Sequence, residues 1–170
     1  MKKNYLHQHC WCLAFALFLF FKINAQSTGE IAFVGFNSDG NDDFSIVALV
    51  DLSTNKTLYI KDGSGFITWN TGLSVIKAGS IITFTDVNSI NNPFLGVTKG
   101  TITKDGTFNW SASGEAVFIY DGTDKDSPTN YITGMMNSSS SADLTGTGLT
   151  TGTNFLQLNT TASPDGGIYT

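Results

Sequence analysis

The chain has 170 residues, with 14 acidic and 9 basic side chains and a formal net charge of −5. Every basic side chain is lysine, and both histidines (His7, His9) and both cysteines (Cys10, Cys12) fall in the first twelve residues. Beyond that point there is no imidazole, thiol or guanidinium, which excludes a Ser-His triad, a His/Cys zinc centre and a disulfide framework.

The chain opens with Lys2 and Lys3, continues through the unbroken apolar run 13–21, and reaches Ile23-Asn24-Ala25 before Gln26. A positive start, a short apolar core and a small-residue exit predict a secretory signal over 1–25, cut after Ala25. The core is too short to span a bilayer, which takes about 20 apolar residues. Cys10 and Cys12 precede the apolar run, so neither can be a lipidated first residue. The mature chain, 26–170, keeps six lysines against fourteen acids, a net of −8. Such a surface disfavours nucleic acid and anionic lipid, which need clustered cations. The expectation is a secreted protein of one domain, held by its core alone.

Short β-rich runs follow at 31–36, 44–52, 57–61, 66–69, 80–86, 100–103, 115–120 and 155–158. Phe44, Ile46, Ala48 and Val50 share one face of their run, with Ser45, Val47 and Leu49 on the other. Between the runs stand Asp39-Gly40, Asp62-Gly63, Asp105-Gly106, Asp121-Gly122 and Asp165-Gly166. Gly accepts positive φ and the Asp side chain bonds nearby amides, so these dipeptides read as tight turns. Turn-punctuated strands of this spacing predict an all-β antiparallel sandwich of Ig-like type. Asp105-Gly106 is expected at the tip of a hairpin joining Thr101-Ile102 to 108–110. The stretch 135–152, rich in Ser, Thr and Gly, reads as a long mobile surface loop. The core is expected to hold Phe33, Phe44, Ile46, Leu49, Ile60, Phe84, Val117 and Ile119.

Three constellations carry candidate chemistry. In the first, Asn37, Asp39, Asn41, Asp42 and Asp43 crowd oxygens around Gly40. That suits Ca²⁺, which takes six to eight oxygen ligands, but a hairpin turn whose side chains cap backbone amides is the simpler reading. Ala48 stands where an EF-hand begun at Asn37 would need its closing acid. Asp121, Asp124 and Asp126 form a second group with the same two readings. The third is a carboxylate pair for glycoside hydrolysis, for which the two glutamates Glu30 and Glu115 are the candidates, although strand-end solvating charges explain both. Trp69, Trp110 and Tyr131 have the shape to stack on sugars, yet single Trp residues in strands usually belong to the core.

Several segments carry a resemblance: 29–62, with its Asn/Asp/Gly turn, Asp42-Asp43-Phe44 and Leu49-Val50-Asp51-Leu52; 77–86; 112–118; 148–153; and 165–170. Together they resemble the N-terminal domain of large secreted proteins from Bacteroidetes and cyanobacteria, distantly similar to lamin-tail β-sandwiches. The resemblance covers nearly the whole mature chain and rests on structural motifs rather than catalytic ones. The segment after Asp62 is shorter than the resemblance implies, and a further strand and further domains are expected beyond Thr170. The function expected is a non-enzymatic extracellular accessory or interaction module, whose partners are other domains of a longer chain or surface glycans. A Ca²⁺-dependent carbohydrate- or cell-surface-binding module is the alternative, and a carboxylate hydrolase the third reading.

Overall fold

Alternation of apolar and polar side chains produces eleven strands in a computed structural model that describes residues 26–63, 65–88, 95–111, 114–158 and 166–168. The expected signal sequence lies outside the described residues. The strands are β1 (Ile31–Asn37), β2 (Asp43–Ala48), β3 (Thr57–Lys61), β4 (Gly65–Asn70), β5 (Ile81–Thr85), β6 (Gly96–Val97), β7 (Thr101–Gly106), β8 (Ala116–Asp124), β9 (Ser127–Met136), β10 (Phe155–Gln157) and β11 (Gly166–Ile168). Sheet I has the order β11-β1-β2-β5-β6 and sheet II the order β10-β9-β8-β3-β4-β7. Neighbours are antiparallel except β10, which runs parallel to β9. The described residues contain no helix, and the two sheets form the expected β-sandwich.

The period of two sets what lies between the sheets. Phe44, Ile46 and Ala48 of β2, Leu58 and Ile60 of β3, Ile67 and Trp69 of β4, Ile82 and Phe84 of β5, and Val117 and Ile119 of β8 are all buried. Phe44 stacks on Phe84 with ring centroids 4.5 Å apart, and Trp69 meets the Phe84 ring edge-on at 5.5 Å. Trp110 closes this cluster against Phe33, Phe36 and Phe44 at 5.4–6.1 Å.

The structure corrects four sequence expectations. Asp105-Gly106 is not a hairpin tip: β7 runs straight through it, paired with β4 from Asn70↔Thr101 to Gly65↔Gly106, and 108–110 is irregular. Leu49 is not core: β2 ends at Ala48, and Leu49 is 52% exposed on the outer side of sheet I. The segment 135–152 is not a loop throughout. Its first residues, Met135 and Met136, belong to β9, and Leu149 is buried with Met136 and Phe155. Finally, β9, the longest strand of the described residues, has no counterpart among the expected ones.

The outer faces differ. Sheet II is overlaid by its own chain. After bulges near Tyr120 and Gly122 the β8–β9 hairpin bends back, so that Lys125 reaches Asp105 of β7 at 3.2 Å and lies 4.6 Å from the Phe66 ring. The segment 137–154 places Ala142, Leu144 and Leu149 against Phe118, Tyr131 and Phe155. Sheet I has no such cover among the described residues.

Candidate functional site

The Asn/Asp turn between β1 and β2 is built from backbone caps. Asn37 Oδ1 accepts the Asp39 N–H at 3.1 Å, and Gly40 takes φ +75°, which only Gly adopts freely. Asp43 Oδ1 accepts the Asp86 N–H at 2.8 Å, and Asp42 Oδ2 accepts the Trp110 N–H at 2.6 Å. Burial pushes the Asp42 carboxyl above its ordinary range, with the Trp110 N–H and the Lys104 charge opposing. Asp39 and Asn41 are exposed. The capping arrangement foreseen for this turn is the one present.

The second acidic group lies elsewhere. Asp121 pairs with Lys56, just before the start of β3. Asp124 Oδ1 accepts the Asp126 N–H at 2.8 Å, and Asp126 Oδ2 pairs with Lys125 at 2.9 Å. This hairpin tip rests on the outer face of sheet II, with Lys125 over the Phe66 ring, whereas Asp42 is buried against the Trp110 N–H and the Lys104 charge. The two groups do not meet, and among the described residues no three His, Cys, Asp or Glu side chains converge on one point. Burial beneath the tip pushes the Tyr120 phenol upward, and its hydroxyl donates to Lys125 O.

The end of the sandwich near Asp42 holds a polar network that sequence reading did not single out. Buried Asp62 accepts N–H groups from Gly65 and, at 2.6 Å, from Asn109. Glu115 accepts the Gly63 and Ser111 N–H groups, each at 3.0 Å, and Asn137 bonds the Glu115 N–H and Ser111 O at 2.9 Å. Lys104 alternates inward from β7, donating to Val87 O and, at 3.2 Å, to Phe108 O. Its charge faces Asp42 and Asp62, while burial lowers its own pKa. The sequence signal for this is weak: a single lysine at an inward position of the run Thr101-Ile102-Thr103-Lys104.

The glutamate pair does not form a cleft. Glu30 accepts from Gln26 Nε2 and from Ser27 N–H, beside Gly29, which bonds Ile132 O. Glu115 bonds Asn137, five residue steps on from Ile132, so about 17 Å lies between them, against about 5–9.5 Å for a glycosidase pair. Trp69 and Trp110 are 0% and 1% exposed and offer no sugar platform. Tyr131 is half-buried against Phe118 and Tyr120.

The open surface beside β1 is largely apolar. A groove of about 440 Å³ runs beside the first half of β1, lined among others by Ala32, Val34, Val47, Leu49, Asn154 and Leu156. A smaller cavity of about 80 Å³, lined among others by Phe36, Met135, Leu158 and Ile168, shares its Val34 and Leu156 walls. No lining residue of either carries a charge. On the adjoining outer face of sheet I, Leu49 and Ile81 are more than half exposed and Ile168 is 83% exposed. Ser45 and Thr83 bond each other there at 2.9 Å. Of the residues on this face, Leu49 reads as core in sequence, which hides the surface it helps to form. The chain matches no protein-family model, no curated protein and no solved structure.

Proposed function

We propose that this protein is a secreted, non-enzymatic interaction module that docks a partner along the uncharged groove beside β1. The observation that carries this reading is the contrast between a chain of net charge −5 and two adjoining cavities without one charged wall. Exposed apolar patches rimmed by polar residues mark interaction surfaces. The Asp51–Lys77 ion pair, beyond Leu49, supplies such a rim. The carboxylates that would serve hydrolysis are engaged on backbone amides. A photoreactive side chain at Leu49, irradiated while the protein is in its native medium, should give one discrete adduct that a Leu156→Glu change abolishes. Protein that stays uncrosslinked refutes the docking reading.

A second reading, a Ca²⁺-assisted carbohydrate- or cell-surface-binding module, is favoured by Asp86. Its Oδ1 is buried without a hydrogen-bond partner among the described residues, on a residue at φ +55° whose N–H is held by Asp43. Bound Ca²⁺ at about 100-fold above its Kd would stabilise the fold by about 2.7 kcal/mol. An unchanged melting temperature at millimolar Ca²⁺ leaves the turn as a cap only.

A further inference from the structure

Six large apolar side chains are exposed among the described residues, and five of them, Leu49, Val50, Leu73, Val75 and Ile81, fall in two segments that are tied together. Leu52 and Ile76 exchange both main-chain bonds, at 2.8 and 3.2 Å, and Gly79 N–H donates to Ala48 O at 2.7 Å. Leu73 and Val75 belong to the crossover from β4 in sheet II to β5 in sheet I, which closes one end of the sandwich. Leu73 is 87% exposed, yet the turn that carries it is held in place. Gly72 N–H donates to Asn70 Oδ1 at 2.9 Å, Gly72 O accepts the Asn55 N–H at 2.7 Å, and Thr71 Oγ1 donates to Ser53 O at 2.7 Å. The neighbouring bend 98–100 is fixed by Trp69 Nε1, which donates to Lys99 O at 2.9 Å. Between turn and bend lies an open groove of about 440 Å³, lined by Leu73, Ser74 and Val75 from the one and by Lys99 and Thr101 from the other.

We infer that this end of the sandwich docks on a bilayer surface containing anionic phospholipid, with Leu73, Val75 and Val50 entering the acyl boundary and Lys99 pairing with phosphate. None of these four residues lines the groove beside β1, so the two surfaces are separate. A phospholipid joins an anion to apolar chains, and a cation beside exposed apolar side chains is its complement. Lys99 makes no ion pair among the described residues, whereas Lys77 is already held by Asp51 at 2.7 Å. Neither 63–85 nor 87–104 contains a carboxylate, so turn and bend bring no negative charge of their own. Asp43, Asp62 and Asp86 sit at the opposite ends of β2, β3 and β5, strands of five or six residues. They lie about 17 Å away, twice the Debye length of about 8 Å, so their charge is largely screened from this end. A protein partner would need a socket shaped to Leu73. A lipid interface needs none, and accepts a protruding apolar tip flanked by a cation.

The test floats the exported protein, without the apolar run 13–21 that would bind lipid by itself, on vesicles of phosphatidylcholine mixed with phosphatidylglycerol and on vesicles of phosphatidylcholine alone. Docking predicts flotation with the mixed vesicles and weaker flotation with the neutral ones. Leu73→Asn should weaken partitioning into the mixed vesicles about tenfold. Lys99→Ala should weaken it about fivefold there and leave the neutral vesicles unaffected. Both side chains are exposed, and unchanged melting temperatures certify the variants as folded. No flotation on either vesicle, a Leu73→Asn variant that floats as the wild type does, or a Lys99→Ala variant that keeps the preference for phosphatidylglycerol would each overturn docking on lipid. Concentration-dependent dimers that Leu73→Asn abolishes, with no flotation, would overturn it in favour of a second copy.

Discussion

Replacing Lys104 by Met keeps the inward stem of β7 and removes only its ammonium. Two charge-assisted bonds, to Val87 O and Phe108 O, disappear. At about 1.5–3 kcal/mol each they represent about 3–6 kcal/mol. Methionine has no ammonium to desolvate, which returns about 1–2 kcal/mol, so the net loss is about 2–4 kcal/mol at pH 7. The sign of the pH dependence follows from Asp42, which is 2% exposed and whose pKa already lies above its unfolded value. Without the lysine charge that pKa climbs further, so the ionised carboxylate destabilises the fold more at pH 7, and protonation relieves it as pH falls. Urea unfolding at pH 7 and pH 4.5 measures both effects. At a slope of about 1–3 kcal/mol per molar urea the midpoint should fall by about 1–2 M at pH 7, and by less at pH 4.5. A loss below about 0.5 kcal/mol, or an equal loss at both pH values, would show that Lys104 holds neither the carbonyls nor the buried acids.

Phe84→Ala empties the site stacked on Phe44 and should cost about 3–5 kcal/mol by urea unfolding; a cost near 1 kcal/mol would mean that the two sheets are not locked there. Asp42→Asn keeps an acceptor for the Trp110 N–H and removes a charge whose folded pKa is raised. The wild type should therefore lose stability relative to the variant as pH rises from 4 to 7, seen in paired urea midpoints; a gap that does not change with pH refutes the buried-charge account. N-terminal mass mapping of exported protein should find a start at or near Gln26, and an intact Met1 form embedded in membrane would refute cleavage.

The strands legible in sequence are those whose alternation coincides with one buried face, such as β2 and β3, which bury Phe44, Ile46, Leu58 and Ile60. The β9 strand is not legible because Ser127-Pro128-Thr129-Asn130 has turn chemistry and Gly134 lowers β-propensity; pairing of eight of its residues with β8 overrides both. At Asp105-Gly106 the local turn preference lost to the ladder with β4. Leu49 belongs in the core only if the run 44–52 is buried on both faces; it shares the face of Ser45 and Val47, and that face is the outer one of sheet I. The acidic turn was legible as a cap because Asx chemistry is local. The groove was not, since it joins 29–34, 47–49 and 152–156, which are far apart in sequence.

The segment laid over sheet II also divides the molecule into parts of unequal tolerance. Gly146 and Gly148 lie at its tip with φ +76° and +71°, and a Cβ at either would meet nothing within 4 Å. Its anchors, Ala142, Leu144 and Leu149, flank that tip on both sides. Foreign sequence spliced between Gly146 and Gly148 would therefore project into solvent without disturbing either sheet, since closing a longer surface loop adds only about 0.6 kcal/mol per doubling of its length. The fold thus carries a display point on the overlay of sheet II, where a reporter or an affinity handle can be installed ahead of the groove wall at 152–156.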